Sequence, residues 1–147
     1  MIKEFFLDKF EYDYFATRNW IKVIVDQEDQ VSPFVLKSIS HILNVHHIWN
    51  SRLNGQESES ELWDVFVVDH LYQLHDANYR ETINFLEQNE LDQKVHYHSS
   101  EGIKLEKNTI DILYHILNHS NYHRAQIVMD LKQNNLAHPS FNFITFR

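Results

Sequence analysis

Apolar residues recur at three- and four-residue spacing in four long stretches of the chain. The first stretch predicts a helix from about Lys3 to Val25, and the second predicts a helix from Pro33 to about Leu53. A third helix is predicted from Leu62 to Glu87, and a fourth from its cap at Asn108 or Thr109 to Lys132. Because residues three and four apart lie on one helix face, each stretch forms an amphipathic helix.

Polar residues at the ends of these stretches support the boundaries. Ser32 precedes Pro33, which is the arrangement of an N-cap with proline at the first helical position. Asn54 and Gly55 are predicted to end the second helix. The acidic, serine-rich segment ESESE is predicted to cap the third helix.

The hydrophobic pattern changes between Leu91 and Lys107. The segments KVHYH and IKLEK alternate on either side of SSEG, which is typical of a short β-hairpin, with His96 and His98 on one face. A plain loop over residues 94–105 fits so short a stretch equally well. The tail LAHPSFNFITFR is predicted to be extended and packed onto the helices.

These elements predict an all-α fold, an antiparallel four-helix bundle with a short hairpin or loop before the last helix. Composition agrees, because 147 residues include only 2 Gly and 2 Pro, and sheets and tight turns use more of both. The length predicts one domain over residues 1–147.

The chain is acidic, with 13 Lys and Arg against 21 Asp and Glu and a formal net charge of −8. Since these charges are interspersed and form no basic patch, nucleic-acid binding is not expected. The lack of cysteine excludes disulfides, thiolate ligands and thiol nucleophiles. The acidic N-terminal segment is unlike a signal peptide, and no apolar run has membrane-spanning length. A cytoplasmic protein with no membrane partner is therefore expected.

The fourth stretch contains three histidines at four-residue intervals, in the segment YHILNHSNYHRAQI. His119 and His123 straddle one border of the apolar arc of the predicted helix, and His115 lies further toward solvent or a neighbouring helix. Two imidazoles one turn apart can bind a single metal ion. The competing interpretation is a pair of half-buried histidines that only form hydrogen bonds, and for such a pair the two interpretations are about equally frequent.

A third ligand is expected from the segment SHILNVHHIWNSRL of the second helix. His46 lies in the middle of that helix's apolar arc, His41 at its border and His47 beyond the opposite side. The pattern leaves His41 and His46 open, with a small preference for His41 because the pair on the fourth helix also lies at a border. A di-iron bundle is excluded because no Glu is followed by His three residues later, and a zincin because a serine follows the first histidine of the pair.

The two histidine segments resemble those of the DinB-like family of bacterial metal-binding four-helix bundles. The most specific part is NHSNYHRAQ, close to the family's NHxxxHRGQ, and DYFATRNWI is similar to the family's first helix. The resemblance covers nearly the whole chain and implies one divalent metal held by His41, His119 and His123. Ala125 replaces the family's usual Gly. His46 stands where the family often has an acid, so it is a candidate partner of a ligand or a core residue.

Three imidazoles with vacant coordination positions are typical of catalytic metal sites. Zn, Ni and Fe(II) all suit imidazole, and the sequence does not rank them. The resemblance implies an S-transferase that uses a low-molecular-weight thiol on a small-molecule substrate, and a metal-bound hydroxide would instead make a hydrolase. The alternative is a non-enzymatic stress-response or dimerisation module whose metal is structural or vestigial. A homodimer is expected. No catalytic residue is assigned, and Tyr122 and Arg124 are given no role.

Overall fold

Four long helices make up most of the chain in the computed structural model, which describes residues 1–147. In chain order the elements are α1 (Ile2–Asp26), α2 (Pro33–Leu53), a 3₁₀ turn (Val68–His70), α3 (Leu71–Gln88), β1 (Lys94–His98), β2 (Lys104–Asn108), α4 (Thr109–Gln133) and α5 (Phe143–Phe146). Helix α2 packs against α3 and α4, and α1 packs against the same two helices. The predicted all-α class is confirmed. No helix is both long and apolar enough to cross a membrane.

Helix α2, which carries the candidate ligand His41, has the predicted ends. The Ser32 hydroxyl accepts a hydrogen bond from the Val35 backbone N–H at 3.4 Å, and Pro33 occupies the first turn, where no intrahelical donor is needed. Asn54 follows the last helical residue, and Gly55 has a φ of +68°, a left-handed conformation that favours glycine.

The predicted start of the third helix at Leu62 is wrong, because α3 begins at Leu71 and the ESESE segment does not cap it. Residues 56–67 instead run along α2 without regular structure. Side chains of α2 bind the backbone of this segment and so compete with helix formation. Three contacts do this: Ser40 Oγ with Phe66 N at 3.0 Å, His41 Nδ1 with Leu62 O at 2.7 Å and Asn44 Nδ2 with Asp64 O at 2.9 Å.

The segment before α4 is a β-hairpin, which decides between the two alternatives. Strands β1 and β2 pair antiparallel with His96 opposite Glu106, and Gly102 in the turn has a φ of +78°. Val95 is buried against the helices, whereas His96 and His98 are exposed on the other face. Alternation on a two-residue period therefore placed the two histidines on one face, as predicted.

The C-terminal tail packs onto α1 but is not fully extended as predicted. The Phe141 ring stacks on Tyr12 with centroids 5.7 Å apart, while Phe143–Phe146 form the short helix α5. The Asn142 side chain caps this turn by accepting a hydrogen bond from the Thr145 N–H at 3.1 Å. A local cap of this kind is enough to bend a short segment into one helical turn.

A buried ion pair connects α1 to α4. The Arg124 guanidinium donates to Asp13 Oδ1 at 2.5 Å and to the hydroxyls of Thr17 and Ser120 at 2.9 and 2.8 Å. Both charged side chains are about 5% exposed or less, so Arg124, which was given no role from the sequence, is part of the buried core. Burial acts to raise the pKa of Asp13, but the charge and hydrogen bond of Arg124 outweigh it and hold this pKa below its usual value.

His46 is a core residue that bridges α2 and α3. Its Nε2 lies 2.8 Å from the Thr82 hydroxyl, which in turn donates to Asn50 Oδ1 at 2.9 Å. The imidazole is therefore the donor to Thr82. Burial is the main cause that lowers the pKa of His46, to about 4, although Asp13 opposes the change.

The depressed pKa of His46 predicts acid sensitivity. The unfolded chain binds this proton near pH 6.5 and the folded chain only near pH 4, so stability falls as the pH drops through this interval. Between pH 7 and 4.5 we expect His46 to contribute a loss of about 2–3 kcal/mol to the free energy of unfolding. Urea unfolding at the two pH values tests this expectation. The pH dependence should shrink in His46→Gln and persist in the exposed-site control His70→Gln; an unchanged dependence in His46→Gln contradicts it.

Candidate metal centre

Three histidines from two helices meet at one point between α2 and α4. His41 projects from α2, and His119 and His123 project from adjacent turns of α4. One ring nitrogen from each lies within 4.8 Å of those of the other two, and Nε2 of His41 is 3.1 Å from Nε2 of His119. The structure thus brings together the three residues that the sequence analysis selected, including the one chosen over His46.

Two of the three imidazoles are oriented by hydrogen bonds on their outer side. His41 Nδ1 lies 2.7 Å from the Leu62 carbonyl oxygen, and His123 Nδ1 lies 2.8 Å from Gln126 Oε1. Each acceptor holds the proton on Nδ1, so Nε2 keeps its lone pair. Metal-binding histidines generally use this arrangement, in which the outer nitrogen donates to a carbonyl or carboxylate.

Most of the chain that carries this cluster matches the model of a known family. A family model described as the DinB family matches residues 17–147. The chain belongs to the DinB family. Its fold is similar to the crystal structure of a DinB-like protein from Bacillus cereus ATCC 10987, with a TM-score of 0.71 and 17% sequence identity over 95% of this chain and 97% of that chain. At this identity the similarity shows the fold alone. A comparison with curated proteins gives no match.

Burial keeps two histidines of this DinB-family chain, His119 and His123, in the neutral form that binds metals. It is the main cause that lowers the pKa of His119 to about 3, and the neighbouring His123, His41 and His115 lower it further. Burial also lowers the pKa of His123, while the hydrogen bond to Gln126 acts in the opposite direction. Near neutral pH these two rings therefore present lone pairs.

The donor set fits a borderline divalent cation. Two nitrogens bound tetrahedrally at ~2.05 Å from one ion are about 3.3 Å apart, close to the 3.1 Å between Nε2 of His41 and Nε2 of His119. Imidazole is a ligand that Zn, Ni and Fe(II) accept. The three histidines could hold such an ion with positions left for other ligands.

The indole of Trp63 covers one face of His41. The two rings are parallel within 3°, with centroids 3.7 Å apart, and Trp63 remains 51% exposed. Trp63 and Leu62 were not predicted to lie near the site, because their segment was predicted to be part of the third helix. Sequence spacing contains no signal for them, since their position depends on the hydrogen bonds to α2.

The other histidines of the DinB-family chain lie outside the cluster. His115 is exposed, with its ring 5.7 Å from that of His119 and 5.6 Å from Trp49. His75 is buried against Tyr14, whose carbonyl oxygen lies 2.9 Å from His75 Nε2.

The hairpin forms an open surface depression of about 470 Å³. His96 and His98 line it, and none of its lining residues belongs to the three-histidine cluster. His96 and His98 in this depression do not belong to a group of three potential metal ligands, whereas His41, His119 and His123 do.

Proposed function

We propose that this DinB-family protein binds one divalent metal ion through His41, His119 and His123 and uses it in a reaction of a small molecule. The observation that supports this proposal best is the convergence of three ring nitrogens within 4.8 Å. The outer hydrogen bonds to Leu62 and Gln126 add to it, because they fix the protons away from the cluster. A bound ion would acidify a coordinated water or thiol.

The reaction class follows from what the protein contributes around the ion. Three neutral imidazoles leave coordination positions vacant, as catalytic sites do. The chain has no cysteine, so a thiolate nucleophile would have to come from a low-molecular-weight thiol. We therefore propose an S-transferase that uses such a thiol, with metal-dependent hydrolysis as the second possibility for the same site.

The non-enzymatic alternative is a module in which the metal stabilises the fold or a homodimer. Exposed apolar side chains near the site, such as Trp63, Val65 and Val67, favour this alternative because they are available for contact with another protein. The enzyme and the module differ in turnover. Only the enzyme consumes a small-molecule substrate, either a thiol with its electrophile or a hydrolysable compound.

Metal content and turnover test the proposed function. We expect tag-free protein to carry one equivalent of a divalent metal by elemental analysis, and to convert a model electrophile with a low-molecular-weight thiol. Removal of the metal by a chelator should abolish conversion, and re-addition should restore it. Protein that carries no metal and takes up none of Zn, Ni or Fe(II) contradicts the proposal. Stoichiometric metal without turnover of any thiol or hydrolysable ester supports the module instead.

A further inference from the structure

A second polar feature lies on α2, C-terminal to His41. Arg52, in the last turn of α2, places its guanidinium carbon 4.5 Å from the ring centroid of Trp49 and 4.4 Å from that of Tyr97 on β1. The two aromatic rings are 5.3 Å apart and nearly perpendicular at 76°, so the guanidinium lies in the corner between them. Aromatic contacts of this kind restrict the position of the cation.

Arg52 has no acidic partner, although the chain has a net charge of −8. None of the ion pairs in the structure includes it. Its side chain is half-buried, and burial lowers the pKa of Arg52 from its ordinary value, while it stays charged at neutral pH. A cation in the last turn of α2 also interacts favourably with the negative end of the helix dipole. A solvated lysine would do the same without contacts to two aromatic rings.

The caged guanidinium is connected to the histidine cluster by a continuous row of rings. The ring centroids of Trp49 and His115 are 5.6 Å apart, and those of His115 and His119 are 5.7 Å apart. Along α2, the distance from His41 to Arg52 is about 16 Å at a rise of 1.5 Å per residue. A molecule of the size of a tripeptide thiol or a nucleotide-linked thiol can span such a distance.

We propose that Arg52 is an oxyanion-binding subsite, which receives a carboxylate or phosphate of the small molecule whose other end reaches the three histidines. The guanidinium offers a planar fork of N–H donors that matches either group with two parallel hydrogen bonds. Contacts with Trp49 and Tyr97 restrict the position of the fork. The inference rests on the proposed function, because it assumes that the reacting end of the same molecule lies at the histidine cluster.

Paired thiol probes test this subsite. Glutathione is compared with its dimethyl ester, in which the carboxylates are blocked, and 4′-phosphopantetheine is compared with pantetheine, which lacks the phosphate. Dissociation constants come from NMR titrations that follow the Arg52 side-chain Nε–H and the Trp49 indole N–H, in zinc-loaded and in metal-free protein. We expect the anionic member of at least one pair to shift both resonances and to bind roughly 10- to 100-fold more tightly than its neutral partner. A preference for glutathione over its ester indicates a carboxylate subsite, and a preference for 4′-phosphopantetheine over pantetheine indicates a phosphate subsite.

Two variants separate the subsite from a general effect of charge. Arg52→Gln should remove the preference for the anionic probe, and Arg52→Lys, which keeps the charge but loses the fork, should retain only a small part of it. Arg80→Gln, at an exposed arginine of α3, removes the same charge and should preserve the preference. The proposal is overturned if neither anionic probe is preferred, or if Arg80→Gln reduces the preference as much as Arg52→Gln.

The same titrations separate failure of the subsite from failure of the metal site. If zinc leaves the ring resonances of His119 and His123 unchanged while anionic probes still shift Arg52, the metal proposal falls and the oxyanion subsite stands. If zinc shifts those ring resonances but Arg52 responds to neither anionic probe, the metal proposal stands and the subsite falls.

Discussion

Replacement of Arg124 with methionine is expected to lower the free energy of unfolding by about 3–5 kcal/mol. The substitution leaves Asp13 buried at 3% exposure with no countercharge, and it removes the donors to Thr17 and Ser120. An uncompensated buried carboxylate either unfolds the region or takes up a proton, and both are costly. Chemical denaturation followed by circular dichroism measures the loss.

Two controls make this expectation specific. Arg18 pairs with Asp76 at 3.2 Å, but both side chains are more than a third exposed, so Arg18→Met should cost less than about 1 kcal/mol. Combining Arg124→Met with Asp13→Leu removes both buried charges and should recover much of the stability lost in Arg124→Met alone. Equal losses in Arg124→Met and Arg18→Met would mean that water reaches the Asp13 carboxylate.

The substitution His119→Ala is expected to weaken zinc affinity roughly 100-fold or more, because loss of a ligand exceeds the about 10–100-fold typical of loss of an outer partner. Among the three candidate ligands His119 lies close to both others, with its Nε2 3.1 Å from that of His41 and its ring centroid 4.4 Å from that of His123. At a zinc concentration 100 times the wild-type dissociation constant, binding should stabilise the wild-type fold by about 2.7 kcal/mol, and this gain should fall to about 0.4 kcal/mol or less in His119→Ala.

Thermal unfolding with and without zinc, together with calorimetric titration, measures both quantities. Each variant serves as its own metal-free reference, so a change in intrinsic stability does not affect the result. Gln126→Ala, which removes the hydrogen-bond acceptor of His123, should reduce affinity about tenfold. His47→Ala, at a half-buried histidine of α2 outside the cluster, should bind zinc as the wild type does. Undiminished zinc stabilisation in His119→Ala would show that the ion binds elsewhere.

Local pattern predicted much of the fold. Helix α2 has the predicted bounds, and α1 and α4 begin and end within one residue of the predicted positions, because helical spacing and capping residues act over a few neighbours. The same spacing placed His119 and His123 on one face of α4, and the resemblance to the DinB family selected His41, which the structure places beside them. The family and the all-α class are confirmed, whereas metal binding at these residues stays a prediction.

Contacts between distant parts of the chain decided what the pattern could not. Residues 62–67 are apolar except for Asp64, which suits an amphipathic helix, but their backbone hydrogen bonds to Ser40, His41 and Asn44 keep them out of α3. The partner of Arg124 is 111 residues away in Asp13. The sequence by itself therefore determined the helices and the spacing of the histidines on each helix, since both depend on the period of one helix. Only the tertiary structure decided that Leu62 orients His41, that Trp63 covers it and that Arg52 lies between two aromatic rings. Except for Arg52 and Trp49, which lie three residues apart on α2, these contacts join residues whose separation along the chain follows no helical or strand period.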